Sequence, residues 1–493
     1  MNVRNRLDIF NIEKRAFING KYVPAKSGEV ISKYASSDGN LIDGIASCGE
    51  EDVNEAVVAA KNAFERGIWR NKDHAERKEI MLRLADLMEK HREELALLDT
   101  YETGRAYRNY YYDSIPKAIE AVRYFAESVD KYYDAAIPAG RTEFGVISRV
   151  PLGVVGLITP WNDPMVVAAW KYAPALLMGN SVVFKPAELS SLSAIRLAAL
   201  TKEAGIPDGV FNVVPGYGET AGKALALHPG VRGIFFTGSR DVGKQILIYA
   251  GQSNMKKVGL ECGGKGPYIV TDQCRDVHRA AKVLAESMFY NQGQICSAPS
   301  KAIVMESVFD DFMNVFKEES EQFVPGDPFD DENNVGCTVS REQLEKIQGY
   351  IELAEKDGLN VFQAHKTKWH HPNACCVQPT IISELPADHV LCQEEIFGPV
   401  IVVLKAKTVE EAVKFANDTC YGLAGAVWTD NIGEAYYFAR MVDVGLFHIN
   451  SYGNDDNRSP FGGVKESGLG KDKSMYAFDE YSDLKTVWMH FEK

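Results

Sequence analysis

The chain has 493 residues, of which 45% are hydrophobic and 25% charged, and this balance excludes a wholly disordered, collagen-like or coiled-coil protein. Lysine and arginine number 54 against 68 aspartates and glutamates, which gives a formal net charge of −14. A surplus of negative charge repels nucleic acids and anionic membranes, so neither is expected as a partner. The length predicts two to four compact domains.

Residues 1–23 are interrupted by charges and lack the apolar run of a secretory signal or a membrane anchor. The nine cysteines are odd in number and form no CxxC pair, which favours a reducing compartment over a disulfide framework. We therefore expect a cytoplasmic protein in which Cys375 and Cys376 are inert. The pair His370–His371 lacks the spacing of a metal site, so no metal is expected.

Helical spacing of apolar residues dominates the first third of the chain, in 51–67, 75–102 and 116–132. Short β-rich runs then alternate with amphipathic stretches, and this alternation predicts βαβ units around a parallel sheet. The strand-like runs are Val154–Ile158, Ser181–Phe184, Val210–Val214, Gly233–Phe236 and Lys257–Leu260.

A second alternating region predicts another α/β domain, with strands Tyr268–Val270, Ala302–Met305, Val400–Leu404 and Ala424–Trp428 and helices Val277–Tyr290, Val308–Phe323 and Arg341–Lys356. Two further β-rich pieces, Glu143–Val150 and Asp483–His490, stand apart from both regions. Together they suit a projecting flap. Exposed strand edges need a partner, so we expect a homo-oligomer, either a dimer or a tetramer.

The sharpest motif surrounds Cys296, which follows Gly293-Gln294-Ile295 just after the helical run that ends at Tyr290. A cysteine held at such a turn can face a cleft and act as a nucleophile once it is ionised. The alternative is a small buried apolar residue, which is the commoner use of a cysteine.

Two other polar residues follow predicted strands: Glu261 precedes a Gly-Gly pair, and Asn162 follows Val154–Ile158. Ligand clefts of open α/β sheets form at the carboxyl ends of parallel strands. The chain between Glu261 and Cys296 is long enough for a strand and a helix to return it to the same cleft. Glu261 is therefore a candidate base and Asn162 a candidate oxyanion donor. The alternatives are a solvated strand-end charge and a turn or cap residue.

Lys185 and Glu188 end the next strand, where their side chains could bind the two hydroxyls of a ribose. The alternative is a surface turn, which the intervening proline favours. The turn Gly238-Ser239 with Gly243 opens a helix whose free backbone N–H groups could hold a phosphate. A single glycine-rich turn is a weak signal, and no GxGxxG is present.

Taken together and in this order, the motifs resemble those of the aldehyde dehydrogenase superfamily over essentially the whole chain. The motifs that carry the resemblance are Pro160-Trp161-Asn162, Lys185-Pro186-Ala187-Glu188, Phe236-Thr237-Gly238-Ser239, Glu261-Cys262-Gly263-Gly264-Lys265, Gly293-Gln294-Ile295-Cys296, Glu394-Glu395-Ile396-Phe397-Gly398-Pro399 and Pro460-Phe461-Gly462-Gly463.

The resemblance implies that Cys296 attacks an aldehyde and that the Asn162 side chain and the Cys296 backbone N–H hold the oxyanion. Hydride transfer to a nicotinamide would leave a thioester, which water attacks after Glu261 takes its proton. Glu261 argues for hydrolysis over transfer to coenzyme A, because the acylating relatives generally lack that base. Lys171 and Asp472 match a lysine–acid pair proposed to relay this proton, although the family usually has Glu at the second place.

The family's cofactor contacts imply NAD as the cofactor. Glu188 would accept a hydrogen bond from a ribose 2′-hydroxyl and repel a 2′-phosphate, although some relatives with this Glu accept both NAD and NADP. The residues carried over are Thr159, Trp161, Lys185, Glu188, Gly218, Gly238, Ser239, Gly243, Gln343, Glu395 and Phe397.

The implied fold class is α/β, with three parts. Residues 1–128 and 151–262 would form a Rossmann-like NAD-binding domain, and residues 263–474 a second α/β domain that is catalytic. Residues 129–150 and 475–493 would form a small β-flap for oligomerisation.

Departures from the family pattern concern the substrate. Asp163 and Asp455 stand where relatives usually have apolar groups, and an acidic tunnel would favour a cationic aldehyde. Alternatively, both acids pair with local cations such as Arg458 and never face the substrate. The other candidate substrate residues are Trp170, which could equally be a core aromatic, Ile295 and Ser297.

The chain also resembles the bacterial branch that oxidises γ-glutamylaminobutyraldehyde and related aminoaldehydes. The resemblance is strongest in Gly251-Gln252-Ser253-Asn254-Met255-Lys256 and Asp472-Lys473-Ser474-Met475. An enzyme of broad specificity for neutral aliphatic and aromatic aldehydes is the alternative.

Two other classes of function compete with this reading. A non-catalytic relative would have lost one of Cys296, Glu261 and Asn162, and none is lost. A thiol hydrolase without a dinucleotide would leave Lys185 and Glu188 without a purpose, although a histidine brought near Cys296 by the fold would favour it.

Overall fold

The computed structural model describes residues 7, 10–366, 368 and 371–492. His370 and most of the first nine residues lie outside this part, so the structure does not address the interpretations placed on them. The strands are β1 (Ala16–Ile18), β2 (Lys21–Val23), β3 (Val30–Tyr34), β4 (Leu41–Ala46), β5 (Ala135–Ile137), β6 (Glu143–Pro151), β7 (Val154–Ile158), β8 (Ser181–Lys185), β9 (Phe211–Val213), β10 (Gly233–Thr237), β11 (Lys257–Glu261), β12 (Pro267–Val270), β13 (Lys301–Met305), β14 (Asn360–Gln363), β15 (Thr380–Ser383), β16 (Val400–Ala406), β17 (Ala424–Trp428), β18 (Leu446–Ile449), β19 (Gly468–Leu469) and β20 (Ser482–His490).

The helices are amphipathic or buried according to the layer that they occupy, and several end in short 3₁₀ or π turns. They are α1 (Glu50–Glu65), α2 (His74–Lys90), α3 (Arg92–Thr103), α4 (Tyr107–Asn109), α5 (Ile115–Ser128), α6 (Pro164–Leu177), α7 (Leu192–Ala204), α8 (Lys223–Leu227), α9 (Arg240–Gln252), α10 (Val277–Phe289), α11 (Phe309–Ser320), α12 (Arg341–Lys356), α13 (Val390–Gln393), α14 (Val409–Asn417), α15 (Ile432–Met441) and α16 (Ala477–Glu480).

The first sheet has the strand order β19-β11-β10-β7-β8-β9-β1-β2. Its five central strands are parallel, and β19, β1 and β2 are antiparallel to their neighbours. Strands β7, β8 and β10 are buried along their whole length, because helices cover both faces of the sheet. From β7 the chain passes to β8 on one side and later to β10 on the other. This reversal creates a crevice at the carboxyl ends of β7 and β10.

The second sheet has the order β14-β15-β16-β13-β12-β17-β18 and is parallel except for the edge strand β14. Its core clusters lie on both faces and include residues from α10, α11, α12 and α14. Both sheets therefore confirm the prediction of two α/β assemblies.

The two β-rich pieces that the sequence set apart pair with each other, as predicted. Strand β20 pairs with β6 over nine residue pairs, and β5 completes a three-stranded antiparallel sheet. Large apolar side chains on this sheet are exposed, among them Phe144, Leu484 and Trp488.

The structure differs from the sequence interpretation before α1, where it has four strands that the sequence did not indicate. Strands β1 and β2 extend the first sheet, and β3 and β4 form a separate hairpin. These strands are only three to six residues long, too short for alternation to stand out. The predicted segment 75–102 is divided at His91, which ends α2 and begins α3.

Among the described residues, no helix has the length and apolar character needed to cross a membrane. Over the same residues, no group of three or more His, Cys, Asp or Glu side chains is arranged to hold a metal ion.

Candidate active site

The crevice of the first sheet collects the polar residues that follow its strands. Asn162 lies after β7, Lys185 ends β8, Ser239 directly precedes α9 after β10, and Glu261 ends β11. Cys296 comes from the other α/β assembly, three residues after the 3₁₀ turn 290–293. Residues far apart in sequence therefore meet because each strand of a parallel sheet ends at the same edge.

The loop before Cys296 is held in an unusual conformation. Asn291 and Gln292 have left-handed backbone angles, with φ of 51° and 56°. Such angles cost of order 1 kcal/mol or more for a non-glycine residue and persist only where the surroundings enforce them. Gly293 is also left-handed, and a Cβ there would lie 2.2 Å from the carbonyl oxygen of Gly398.

Side-chain amides enforce this loop conformation. The Asn291 Nδ2 donates to the carbonyl oxygens of Asn162 (3.2 Å) and Gln294 (3.3 Å). Gln294 Nε2 donates in turn to the carbonyl of Asn291 (3.0 Å), and Gln292 Nε2 donates to the carbonyl of Val377 (3.1 Å). The position of Cys296 is thus fixed by contacts on both sides of the loop.

Cys296 and Asn162 line one cavity of about 540 Å³. The Asn162 Nδ2 donates one hydrogen bond to the carbonyl of Gln294 (3.1 Å), which leaves its second N–H free to donate elsewhere. All five candidate substrate residues line the same cavity: Asp163, Trp170, Ile295, Ser297 and Asp455.

Glu261 is buried, and neither carboxylate oxygen has a hydrogen-bond partner among the described residues. Burial raises the pKa of Glu261 well above the usual carboxyl value, and the charge of Asp472 raises it further, while Lys171 opposes the shift. A Cβ on Gly462 would lie 2.3 Å from Glu261 Oε1, so a larger residue there would displace the carboxylate. The site thus offers a buried carboxyl group that holds a proton more tightly than an ordinary glutamate does.

Steric crowding explains why two glycines, Gly263 and Gly264, follow Glu261. A Cβ on Gly264 would lie 2.7 Å from the carbonyl oxygen of Cys296, and one on Gly263 would lie 2.0 Å from Glu395 Oε2. The Gly264 N–H also donates to Glu395 Oε1 (2.9 Å). Only glycines let the end of β11 approach both the Cys296 loop and Glu395 this closely.

Burial raises the pKa of the Cys296 thiol to about 12, and the negative charges of Glu395 and Glu261 contribute. Burial likewise raises the pKa of Glu395 to about 7. The thiol is therefore protonated at neutral pH in this state and needs a base to become a nucleophile. The charges of Glu395 and Glu261 both reach the thiol, so either carboxylate can serve that purpose.

Lys171 and Asp472 form a buried ion pair, with Lys171 Nζ 2.8 Å from Asp472 Oδ2. Backbone hydrogen bonds in both directions between Asp472 and Phe461 hold the loop that carries the acid. The charges of both residues affect the pKa of Glu261, so the pair is close enough to be a candidate for passing a proton onward.

The remaining cofactor candidates lie around the same crevice. Lys185 Nζ is 3.2 Å from Glu188 Oε2, so a cation and a carboxylate stand together at the end of β8. Trp161 and Phe397 meet edge to face, 5.3 Å between ring centroids. Gln343 Nε2 donates to the Phe397 carbonyl (2.9 Å), which fixes a loop whose Phe397 has φ 56°.

These residues suit a dinucleotide. The helix α9 begins after Ser239 with no side-chain cap, so its first backbone N–H groups are available to a phosphate. A Cβ on Gly243, one turn into α9, would lie 2.7 Å from Cys262 Sγ, so glycine allows the helix to pack against the end of β11. Thr159 and Gly238 lie at the ends of β7 and β10, and Gly218 begins the π turn 218–222, with open space around it.

The two acids predicted to make an acidic tunnel are both ion-paired. Asp163 Oδ2 lies 3.2 Å from Nη1 of the buried Arg105, and Asp455 pairs with Lys473. Pairing with local cations was the alternative to an acidic tunnel, but Arg458, the cation named for it, pairs with Asp456. Asp163 and Asp455 therefore face the cavity with much of their charge compensated.

Several cavity residues were not singled out from the sequence. Tyr452 donates from its hydroxyl to the Ser297 carbonyl (2.5 Å), and Lys473 lies over the rings of Trp170 and Phe461. Glu120 on α5 and Glu286 on α10 also line the cavity. Exposed acids on helices are so common that the sequence carries no signal for them.

Comparisons with known proteins show the family to which the chain belongs. The model of the "Aldehyde dehydrogenase family" matches residues 22–487. The NADP/NAD-dependent aldehyde dehydrogenase PuuC of Escherichia coli (strain K12) is 42% identical over 481 residues, 98% of this chain and 96% of that protein.

Solved structures are equally similar. The gamma-glutamyl-gamma-aminobutyraldehyde dehydrogenase from Burkholderia cenocepacia has a TM-score of 0.96 and 42% identity, covering 99% of each chain. The indole-3-acetaldehyde dehydrogenase AldA from P. syringae, solved with NAD+, has a TM-score of 0.97 and 43% identity over 99% of each chain. The predicted fold and the predicted resemblance are both confirmed, and the chain belongs to the aldehyde dehydrogenase family.

Proposed function

We propose that the protein oxidises a cationic aminoaldehyde to the carboxylate with NAD, through a covalent thioester on Cys296. The chain is an aldehyde dehydrogenase that uses NAD(P), as its family and its relatives' cofactors support. The observation that carries the proposal is the single cavity of about 540 Å³ that joins Cys296 and Asn162 to a carboxylate-rich mouth.

The chemistry begins with proton transfer from the Cys296 thiol and attack of its sulfur on the aldehyde carbon. The oxyanion that forms accepts hydrogen bonds from the free N–H of the Asn162 amide and from the Cys296 backbone N–H. NAD, when bound, would accept the hydride released by the former aldehyde carbon. The substrate is then left as a thioester on Cys296.

Glu261 would complete the reaction as general base. Its carboxylate takes a proton from water, and the hydroxide so generated attacks the thioester. Lys171 and Asp472 would carry the proton away, because they form a buried ion pair beside Glu261. Gly462 leaves space for the Glu261 carboxylate, because any larger side chain at that position would displace it.

NAD would be held by the residues around the first-sheet crevice. The uncapped start of α9 would bind phosphate, and Lys185 with Glu188 would bind the adenosine ribose. The Glu188 carboxylate would repel a 2′-phosphate, so NAD should be preferred over NADP.

The substrate class follows from the charges at the cavity. Six carboxylates line it, namely Asp113, Glu120, Asp163, Glu286, Asp455 and Asp456. Four are matched by Lys117, Arg105, Lys473 and Arg458. Glu120 and Glu286 make no ion pair within the described part of the chain, and both are exposed at the mouth. Arg279 is the one further lining cation, and it lies over the Trp428 ring.

The excess negative charge at the mouth is small, so its effect on specificity should be modest. Each exposed carboxylate should raise kcat/KM for a cationic aldehyde over a neutral one by about 1.4- to 5-fold. Glu120 and Glu286 together should therefore favour a cationic aldehyde by roughly 2- to 25-fold. A broad preference for neutral aldehydes is the second candidate, supported by the similarity to an indole-3-acetaldehyde dehydrogenase.

The test is the initial rate of nicotinamide reduction over aminoaldehydes and neutral aldehydes of equal length, with NAD and NADP in parallel. The double variant Glu120→Gln with Glu286→Gln should lower kcat/KM for the cation and leave the neutral aldehyde unchanged. Glu127→Gln, on the same helix α5 but outside the cavity, is the matched control. Equal effects on both aldehydes would discard the charge argument, and silence with every aldehyde would refute the activity.

The flap supports a homo-oligomer. Phe144, Leu484 and Trp488 are exposed on a small sheet with free edges, which suits burial against a second copy. We expect a dimer or tetramer built through residues 129–150 and 475–493, with 1–128 and 151–262 binding NAD and 263–474 catalytic. Leu484→Glu combined with Trp488→Glu should lower the mass measured by light scattering, and an unchanged mass would refute this interface.

A cytoplasmic location is part of the same proposal, because a reducing compartment suits nine cysteines that are all free. Fractionation of the native host should place the protein with cytoplasmic markers, and recovery in the periplasm or outside the cell would refute this location.

A further inference from the structure

Cys337 and Cys376 contact each other close to the segments that hold residues 291–295, the loop before Cys296, which we call the catalytic loop. Their Sγ atoms are 3.0 Å apart, although 39 residues separate them in sequence. Cys337 is fully buried, and Cys376 is half-buried. Neither thiol belongs to the cavity or to the crevice described above.

The segments that carry these two cysteines also hold the catalytic loop. The Val339 N–H donates to Gln294 Oε1 (2.9 Å). The Val377 N–H donates to Gln292 Oε1 (3.3 Å), and the Val377 carbonyl accepts from Gln292 Nε2 (3.1 Å). Each cysteine is therefore within two residues of a backbone group that fixes the conformation of the loop before Cys296.

The two segments are also joined to each other. Thr338 donates to the carbonyl of Cys375 from its backbone N–H (2.8 Å) and from its hydroxyl (2.7 Å). These hydrogen bonds give a change in the distance between Cys337 and Cys376 a direct path to the residues that hold Gln292 and Gln294.

We propose that Cys337 and Cys376 are a redox-modification site, in which a peroxide joins the two thiols in a disulfide and thereby slows turnover at Cys296. This reverses, for Cys376, the expectation that the adjacent cysteines 375 and 376 are inert.

The reaction is a two-electron oxidation. The peroxide transfers one oxygen to the Cys376 thiol, which gives a sulfenic acid and one water. Cys337 then attacks the sulfenic sulfur, the S–O bond breaks, and the second water leaves with the Cys337 proton. Two thiols and one hydrogen peroxide thus give one disulfide and two waters. Cys376 reacts first because it is the more accessible thiol.

The Cys337 thiol is the slower partner. Its contact with Cys376 and its burial raise the pKa of Cys337 well above the usual thiol value. Disulfide formation should therefore become faster as the pH rises.

The expected fall in kcat follows from how far the two sulfur atoms, now 3.0 Å apart, must approach each other to form a bond. An S–S bond is about 2.05 Å long, so each sulfur moves by about 0.5 Å. A misplacement of the reacting groups by 1 Å can cost roughly 100-fold, so a shift of about 0.5 Å passed in full to Cys296 would lower kcat by about tenfold.

The first test is chemical and does not depend on the proposed dehydrogenase activity. Full-length protein carrying Cys296→Ala is treated with hydrogen peroxide, digested without reduction and mapped by mass spectrometry. We expect a linked peptide pair that contains Cys337 and Cys376, lighter by two hydrogens than the two thiol peptides. Cys376→Ser should abolish the link, whereas Cys375→Ser, one residue away, should preserve it. No linked pair, or a link through Cys375, would overturn the proposal.

The second test is kinetic and rests on the proposed function. Peroxide-treated wild type and Cys375→Ser should lose about tenfold more kcat than Cys376→Ser, and dithiothreitol should restore the difference. Peroxide can oxidise Cys296 in all three proteins. The effect of the disulfide is therefore measured as the difference in kcat loss between Cys376→Ser and the other two. Equal losses would overturn the link to the active site.

Should Cys376→Ser fail to fold, differential alkylation of wild type before and after oxidation supplies the answer. Protection of residues 337 and 376 together would support the pair. Independent labelling of the two would overturn it.

Discussion

Asn162→Ala tests the oxyanion assignment most sharply. The amide of Asn162 is buried, and its hydrogen bond to the Gln294 carbonyl (3.1 Å) fixes its direction beside the Cys296 loop. Loss of one preorganised oxyanion donor costs about 100- to 1000-fold in kcat, or about 2.7–4 kcal/mol. The variant retains the Asn162 backbone carbonyl that accepts from Asn291, so the loop keeps that contact. The loss of folding stability should be only about 0.5–1.5 kcal/mol for one hydrogen bond.

The assay is a stopped-flow measurement of nicotinamide reduction, with NAD binding followed separately by titration. Asn454→Ala makes the same chemical change on the exposed loop at the cavity mouth and should be nearly silent. NAD affinity should be unchanged in both variants. A fall in kcat of less than about tenfold in folded Asn162→Ala would refute the reasoning, because a preorganised donor is worth more than that.

Three further predictions concern the titrating groups. Glu261→Gln should keep a burst of nicotinamide reduction but slow the steady state by about 100-fold or more, and an unchanged steady-state rate would remove Glu261 as the base. Lys171→Met should shift the pH profile of kcat to higher pH, because Lys171 lowers the pKa of Glu261; Lys171→Arg should restore the profile, and an unmoved profile in Lys171→Met would contradict the argument. Glu395→Gln should lower the thiol pKa of Cys296, so that iodoacetamide alkylates it faster above pH 7, where Glu395 is ionised; an unchanged rate would show that Cys296 does not sense this charge.

Much of the fold could be predicted because buried parallel strands leave a strong signal. Val154–Ile158 and Ala424–Trp428 are apolar throughout, and the structure has strands with these same bounds. The short strands β1 to β4 were missed because they are too short for alternation to stand out, and β1 also depends on a neighbour far away in sequence. Phe17, for example, pairs with Val213 of β9.

The candidate site also divides into residues that the sequence predicts and contacts that only tertiary packing creates. Motifs at strand ends indicated Asn162 and Glu261, since the sheet itself brings such ends together. The partner of Asp163 could not be predicted, because Arg105 lies 58 positions earlier and reaches the cavity only through tertiary packing. The contact between Cys337 and Cys376 is equally a product of folding.

The most direct test of the central claim is to trap the covalent intermediate. Glu261→Gln protein is mixed with NAD and an aminoaldehyde, quenched in acid within the first turnover and mapped by mass spectrometry. We predict an acyl group on the peptide that contains Cys296, in amounts that match the nicotinamide reduced. Nicotinamide reduction without an acyl group on Cys296, or an acyl group on another residue, would contradict the proposed mechanism.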